Sequence, residues 1–336
     1  MTTAPIRAAV VEVKDLRAYY RTHQFGVQRE VRAVDDVSLA VRPDEIYGLA
    51  GESSCGKSTL IKTIAGAIRP PLQVVGGSVV FDFGDGPIDL YGADAGALAA
   101  IRWKHLSYVM QGSMSVLNPV RRVGHSFVDF AFRHIGKPMD QFLDIVRAHL
   151  LRLQLSPEIL DAYPHQLSGG MRQRVAIALA TVCRPELIIA DEPTTALDVI
   201  VQKSVLDMIR DVQRELKSSL IFVTHDMAVH ANLCHRLGVM YAGRLIEEGR
   251  TADIFGAPRH PYTRHLIASL PRLGRAAAPP ALEGSPPNLA DPPTGCRFHP
   301  RCPLAMDVCR RESPPLVGVA PGHRIACFAV TPAASP

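Results

Sequence analysis

The sequence predicts an α/β protein built around a phosphate-binding loop, and three observations predict it. Gly51-Glu52-Ser53-Ser54-Cys55-Gly56-Lys57-Ser58-Thr59 fits G-x-x-x-x-G-K-[ST], the spacing with which backbone N–H groups wrap phosphates. The loop stands between an apolar, strand-like run (Ile46 to Ala50) and a helical pattern carried by Leu60, Ile64 and Ile68. That context aims the free N–H groups and positive end of a helix at the phosphates. Lys57 would then reach the β- and γ-phosphates, and the Ser58 hydroxyl would take a place on Mg²⁺. Thirdly, Leu187-Ile188-Ile189-Ala190-Asp191-Glu192 and Leu220-Ile221-Phe222-Val223-Thr224-His225-Asp226 are apolar strands ending in polar groups. Such endings belong to the C-terminal edge of a parallel sheet that carries a site.

The 336 residues are enough for one large core, or for one core with an appendage. With 47% hydrophobic and 21% charged residues the composition is that of a globular protein. A net charge of +5 is too mild to imply nucleic acid by itself. No apolar run approaches the ~18–20 residues of a spanning helix. Met1 to Arg7 lacks the apolar core of a signal peptide. The expectation is a cytosolic chain that meets a membrane only through partners. Cys296, Cys302, Cys309 and Cys327 fall within 32 residues, where an even spread of the 7 cysteines would place fewer than one. In a cytosolic chain that crowding argues for a ligand set rather than disulfides.

Taken in order, Val10 to Tyr20 and Val31 to Val41 alternate as two strands of an antiparallel unit. Tyr20 closes the first, either to stack on an adenine or as a half-buried strand tyrosine. Gly76 to Leu90 reads as further strands with turns at Gly76-Gly77 and Asp85-Gly86, and Tyr108-Val109-Met110 as a short strand leading into Gln111. From Val123 to about Tyr163 the apolar residues recur at helical spacing, a helical insertion in the α/β core. Leu167-Ser168-Gly169-Gly170 opens the next helix, and Gly238 to Gly249 forms a hairpin about Ala242-Gly243. Gly274 to Gly295, rich in Pro, Ala, Gly and Ser, is an extended linker before the cysteine segment.

Leu167-Ser168-Gly169-Gly170-Met171-Arg172-Gln173-Arg174, between a phosphate loop and an acidic strand, resembles the signature motif of ATP-binding cassette (ABC) ATPases. The resemblance covers residues of about 10 to 255. It implies a P-loop NTPase of the ABC ATPase type, with an antiparallel β subdomain, a helical subdomain at about 112–180 and a C-terminal cysteine-containing extension. The domains expected are a nucleotide-binding domain at 1–255, an extension with a Pro-rich linker at 256–295, and the cysteine segment at 296–336.

The resemblance further implies a dimer in which each ATP lies between one subunit's phosphate loop and the other's signature helix. Gly51, Ser53, Ser54, Cys55, Gly56, Lys57, Ser58 and Thr59 would cradle ATP, with Tyr20 at the base. Ser168, Gly169 and Gly170, at a helix start, would offer a γ-phosphate a second anion site from across the interface. Asp191 would hold Mg²⁺ through water with Ser58 as a direct ligand. Glu192, one residue further on, would face the other way and act as general base. Gln111 resembles the glutamine-loop residue that touches Mg²⁺ and the water and moves with the helical insertion. Ala196-Leu197-Asp198 resembles the loop that crosses the dimer interface, and His225 the switch histidine at the γ-phosphate. One departure stands out: the family places glycine where this chain has Ser54, and serine resists positive φ.

Tyr163-Pro164-His165-Gln166-Leu167-Ser168, Pro258-Arg259-His260-Pro261-Tyr262-Thr263 and Leu117-Asn118-Pro119 look like the subgroup that powers oligopeptide and dipeptide importers, with nickel importers as close relatives. The four cysteines, as Cys-x5-Cys-x6-Cys-x17-Cys, suffice for a tetrahedral metal or a cubane cluster. The subgroup resemblance points to a [4Fe–4S] cluster, with zinc and unliganded thiols as alternatives. The expected function is the ATPase subunit of a peptide importer on the cytoplasmic face of the plasma membrane. Its partners would be two permease subunits, a second related ATPase subunit in preference to a homodimer, and, through the complex, a substrate-binding protein; nucleic acid is not expected. The rivals are an ABC ATPase acting on nucleic acid or ribosomes and a phosphate-loop kinase. The short stretch from Gln111 to Ser168 and the single cassette weigh against the first, the signature helix against the second.

Overall fold

The computed structural model describes residues 8–24, 26–112, 116–195, 197–270 and 282–330. In chain order the strands and helices are β1 (Val11–Gln24), β2 (Val27–Val41), β3 (Ile46–Ala50), α1 (Lys57–Ile64), β4 (Leu72–Asp82), β5 (Pro87–Asp89), α2 (Ala95–Ile101) and β6 (Leu106–Val109). Then come α3 (Val123–Ile135), α4 (Met139–Arg152), α5 (Gly169–Thr181), β7 (Leu187–Asp191), α6 (Val199–Leu216), β8 (Ser219–Val223) and α7 (Met227–Leu233). The remainder is β9 (Arg236–Tyr241), β10 (Arg244–Arg250), α8 (Thr251–Gly256), α9 (Pro261–Ala268), α10 (Asp307–Arg311), β11 (Val317–Ala320) and β12 (His323–Ile325).

The chain divides into two compact units, one of residues 1–10, 41–45 and 81–222, the other of 11–40, 46–80 and 223–336. In the first, the strands run in the order β8-β7-β6, with β6 parallel to β7. Every residue of β7 and β8 is buried, which is why both read as continuous apolar runs rather than alternating ones. The helical pattern after Val123 becomes α3, α4 and a 3-10 turn at Pro157–Asp161. Phe127 and Phe142 are wholly buried there, and Phe132 meets Phe142 edge-on at 5.2 Å. His149 on α4 hydrogen-bonds Thr181 on α5 at 2.8 Å, joining two helices in the interior.

In the second unit the strands run β11-β12-β10-β9-β3 in one sheet and β2-β1-β4 in another. β3 is parallel to β9, whereas β9, β10, β12 and β11 pair antiparallel in succession. The hairpin turns at Ala242 (φ 46°) and Gly243 (φ 82°), two positive-φ residues that match the twist of the flanking strands. The turn expected at Gly76-Gly77 is absent: β4 starts earlier, at Leu72, and runs through both glycines. A Cβ on Gly77 would lie 2.5 Å from the backbone oxygens of Lys14 and Asp15, so glycine marks a close approach of β1 instead.

The last 49 described residues, 282–330, do not pack on their own. β12 extends the sheet from β10, with Glu247 opposite Ile325, and Phe298 joins the core. Its ring meets Tyr241 at 5.1 Å and Tyr262 at 5.5 Å. Three carboxylates fasten the same region. Asp35 receives the Arg297 guanidinium, Arg244 at 3.3 Å and the Tyr19 hydroxyl at 2.5 Å. Glu247 accepts from the backbone N–H groups of Arg259 and His260 and pairs with His323 at 2.8 Å, while Glu248 takes Tyr47, Arg236 and Arg324. Buried charges persist when partnered in this way. Of the expected Pro-rich linker, residues 282–295 form no helix or strand, and 274–281 lie outside the described residues.

Candidate functional site: a phosphate loop and an acidic strand end

The phosphate loop lies wholly within the second unit. Gly56 takes φ 106°, and a Cβ there would sit 2.0 Å from the Ala33 carbonyl oxygen, so no other residue fits. Ser54 stands at φ 62°, in the left-handed region that favours glycine. Lys57 is buried and donates to the carbonyls of Gly51 at 2.7 Å and Glu52 at 2.9 Å. Its ammonium is also 3.7 Å from the Cys55 sulfur. Burial pushes the Cys55 thiol pKa up, with Lys57 pulling the other way, so the loop's cysteine stays a neutral packing group. Ser53 is exposed and Ser58 half-buried. The Tyr20 hydroxyl and that of Thr59 are 3.2 Å apart, which ties β1 to the first turn of α1. His225 is exposed immediately before α7, whose first turn is capped by Asp226 through the Ala228 N–H at 2.8 Å.

The acidic residues lie within the first unit. Asp191 is buried at the end of β7, with the Tyr108 hydroxyl 3.5 Å away. Burial, and then Asp191, drive the Tyr108 pKa up, keeping that hydroxyl a neutral donor. Glu192 leaves the strand at φ 47°, so its direction is set by this turn and not by strand alternation, as the sequence reading assumed. Its carboxylate accepts from the Gln111 side-chain amide at 3.0 Å and from the Thr195 hydroxyl at 3.0 Å. Ser168 caps α5, its hydroxyl accepting from the Met171 N–H at 3.3 Å, with Gly169 and Gly170 as the first helical residues. Asp198 caps α6 through the N–H groups of Ile200 and Val201. Ala196 lies outside the described residues.

The four late cysteines are free thiols, Cys309 buried and Cys296, Cys302 and Cys327 half-buried. Burial pushes Cys296 up to about 11, with Cys309, Cys302 and Cys327 adding to it. Yet among the described residues no group of three or more His, Cys, Asp or Glu side chains is arranged to hold a metal. The cysteine segment is linked through its backbone, the Cys296 N–H hydrogen-bonding the Cys309 carbonyl at 2.9 Å.

Sequence reasoning missed Glu52, Tyr262 and Arg301. The Glu52 N–H donates to the Tyr262 hydroxyl at 2.8 Å, and the Glu52 carboxylate receives both ends of the Arg301 guanidinium. No local pattern links a variable loop position to residues more than 200 positions later in the sequence.

Comparison with known proteins agrees with this geometry. Residues 34–195 match the ABC transporter family and residues 246–309 the family described as oligopeptide/dipeptide transporter, C-terminal region. The chain is 38% identical to the probable peptide ABC transporter ATP-binding protein y4tR of Sinorhizobium fredii, over 98% of this chain and 97% of that one. It is 39% identical to the oligopeptide transport ATP-binding protein OppD of Salmonella typhimurium, covering 97% and 96%. Among solved structures, the dimeric ATP-binding cassette MJ0796 bound to ADP and Pi superposes with a TM-score of 0.62 at 25% identity, covering 72% of this chain and 98% of that one. Among the described residues no helix is long and apolar enough to cross a membrane. With a phosphate loop, a capped signature helix and relatives alike over nearly their whole length, the chain belongs to the ATP-binding subunits of ABC transporters.

Proposed function

We propose that this chain is the ATP-hydrolysing subunit that energises import of peptides, oligopeptides or dipeptides, through a membrane permease complex. The observation that carries the reading is that both halves of the chain match together: a cassette at 34–195 and, at 246–309, a region named for oligopeptide and dipeptide transporters. Its relatives are named for peptide transport across nearly their full length. An ATPase acting on nucleic acid or ribosomes receives no support from either match.

The residues take these roles. Gly51 to Thr59 bind the phosphates of ATP, Tyr20 packs at the base, and Lys57 carries the charge that the γ-phosphate meets. Ser58, Asp191 and Gln111 supply oxygen donors for Mg²⁺, which screens the phosphate charge when bound. Glu192 accepts the proton of the attacking water, and His225 orients the γ-phosphate. A second cassette brings Ser168, Gly169, Gly170 and Asp198 to the nucleotide; the exposure of Val199 and Ile200, 81% and 83%, beside Asp198 supports an interface there. ATP binding closes the paired cassettes, hydrolysis reopens them, and the motion is passed to two permease subunits on the cytoplasmic side of the membrane. The second cassette is a related chain, and a substrate-binding protein delivers the solute. The nucleotide-binding domain spans 1–255, the helical subdomain about 112–180, and the cysteine segment 296–336.

For Cys296, Cys302, Cys309 and Cys327 the donor set alone supports a [4Fe–4S] cluster, with Zn²⁺ as the alternative. Iron and sulfide analysis with absorbance of anaerobically purified protein decides between them.

The function is tested by co-expressing the chain with its permeases and measuring ATP hydrolysis in proteoliposomes. Stimulation by peptide with a binding protein is expected. Stimulation by DNA, RNA or ribosomes instead would overturn the reading.

A further inference from the structure

Every polar group of Glu52, the first variable residue of the phosphate loop, is engaged. Its N–H donates to the hydroxyl of Tyr262, a residue of α9 that is wholly buried. Its carbonyl accepts from Lys57 at 2.9 Å, and its carboxylate faces Arg301 at 2.9 and 3.2 Å in a two-pronged pair. Arg301 is itself fixed. Its side chain is 7% exposed, it donates to the Glu283 carbonyl at 3.2 Å, and its guanidinium stands 5.9 Å from the centre of the Tyr241 ring. It ends the 3-10 turn His299–Arg301, directly before Cys302, and that turn is anchored by Phe298 in the core.

A carboxylate on the loop that must receive a triphosphate is electrostatically adverse unless it is neutralised. We propose that Arg301 is a positioning residue for nucleotide binding: it neutralises Glu52 and, with Tyr262, holds the phosphate loop and Lys57 in place, so that the C-terminal cysteine segment sets the affinity for ATP. The segment thereby acts on the cassette without touching the nucleotide. This rests on residues 51–59 being the phosphate loop.

The test measures MgATP affinity and steady-state hydrolysis of the full chain carrying Arg301→Gln, Glu52→Gln or both. Arg301→Gln leaves the carboxylate uncompensated and is expected to weaken MgATP binding by about tenfold, raising KM with kcat little changed. Adding Glu52→Gln removes the offending charge and is expected to restore affinity to within about threefold of wild type, a rescue that loss of mere folding stability would not give. Binding by Arg301→Gln within twofold of wild type, or a loss that Glu52→Gln fails to relieve, overturns the proposal. Where Arg301→Gln does not fold, Arg301→Lys, which keeps the charge without the fork, serves: about threefold weaker binding supports the proposal and unchanged binding overturns it. Lys57→Ala separates the two readings. If it binds MgATP as wild type does, the phosphate-loop assignment itself fails; if it loses binding while the Arg301 variants do not, only the present inference fails.

Discussion

The side-chain amide of Gln111 donates to the Glu192 carboxylate at 3.0 Å, so the proposed base is held by the very residue proposed to sense Mg²⁺ and the attacking water. Gln111 is exposed just beyond β6, and the Thr195 hydroxyl donates to the same Glu192 oxygen at 3.0 Å. Glu192→Gln keeps the size and the hydrogen-bonding shape but cannot take a proton. Turnover is expected to fall by about 100-fold or more, with MgATP still bound and the closed dimer accumulating. Single-turnover hydrolysis beside size-exclusion chromatography in MgATP checks both halves. Turnover near wild type would remove Glu192 from the mechanism.

The Ser54 backbone at φ 62° gives a second expectation. A side chain in the left-handed region costs roughly 1–2 kcal/mol, whereas glycine enters it freely but gains freedom in the unfolded chain. Ser54→Gly is therefore expected to stabilise the protein by about 0.5 kcal/mol and leave MgATP affinity equal or tighter. Ser54→Val, branched at Cβ, is expected to do the reverse on both counts. Thermal melts with and without MgATP check this; a valine variant as stable and tight-binding as wild type would show that the loop does not depend on this φ.

What the sequence made legible follows its periodicities. The glycine-rich loop before α1, the buried strands β7 and β8, the helix opened by Ser168 and the Ala242-Gly243 hairpin are all local patterns, and each element is present, although β7 stops at Asp191, one residue short of the Glu192 at which the sequence pattern ends it. Gly76 and Gly77 misled because glycine signals a turn and a close backbone approach equally well, and only the neighbouring strand tells which. The direction of Glu192 was beyond reach because strand alternation stops at Asp191, the last residue of β7. The Glu52–Arg301 pair is 249 residues apart in sequence, with no periodicity to announce it. The cysteines were visible as a cluster in sequence, but their spacing carries no information on whether the intervening turns bring the thiols together.

Acid should loosen the helical part of the first unit. His149 is buried, and burial holds its pKa down at about 4, with Arg152 and Arg184 adding to the effect. The unfolded state binds the proton near pH 6.5, so a folded-state value below that makes stability fall as pH drops from about 6.5 towards 4. The loss from this one site is roughly 1 kcal/mol at pH 5.5 and about 3 kcal/mol by pH 4. Urea unfolding at pH 7.5 and 5.5 is expected to show a smaller pH difference for His149→Gln than for wild type. An identical difference in both proteins would assign the acid sensitivity elsewhere, to His230 or His260, which burial also holds near 4.

Ser168 separates binding by one cassette from hydrolysis by two. Its hydroxyl caps α5 by accepting the Met171 N–H at 3.3 Å, and it is exposed, as a residue meeting a second chain's nucleotide has to be. Ser168→Arg removes the cap, costing about 1 kcal/mol of stability, and places a long cation where a γ-phosphate would meet the helix start. The phosphate loop lies in the other compact unit, so MgATP affinity of the isolated chain is expected to stay within about twofold of wild type while hydrolysis by the assembled complex drops at least about tenfold. Ser168→Ala, which loses the cap but adds no bulk, should fall between the two in hydrolysis and match Ser168→Arg in the shift of its melting temperature. Combining Ser168→Arg with Lys57→Ala in this chain, opposite an unaltered related cassette, sharpens the test. If each nucleotide is shared between cassettes, the two changes fall in different composite sites, so the double variant damages both while each single variant leaves one intact. Hydrolysis by the assembled complex lower in the double variant than in either single variant is the expected result; a double variant no worse than the weaker single one would mean that loop and signature helix serve the same site.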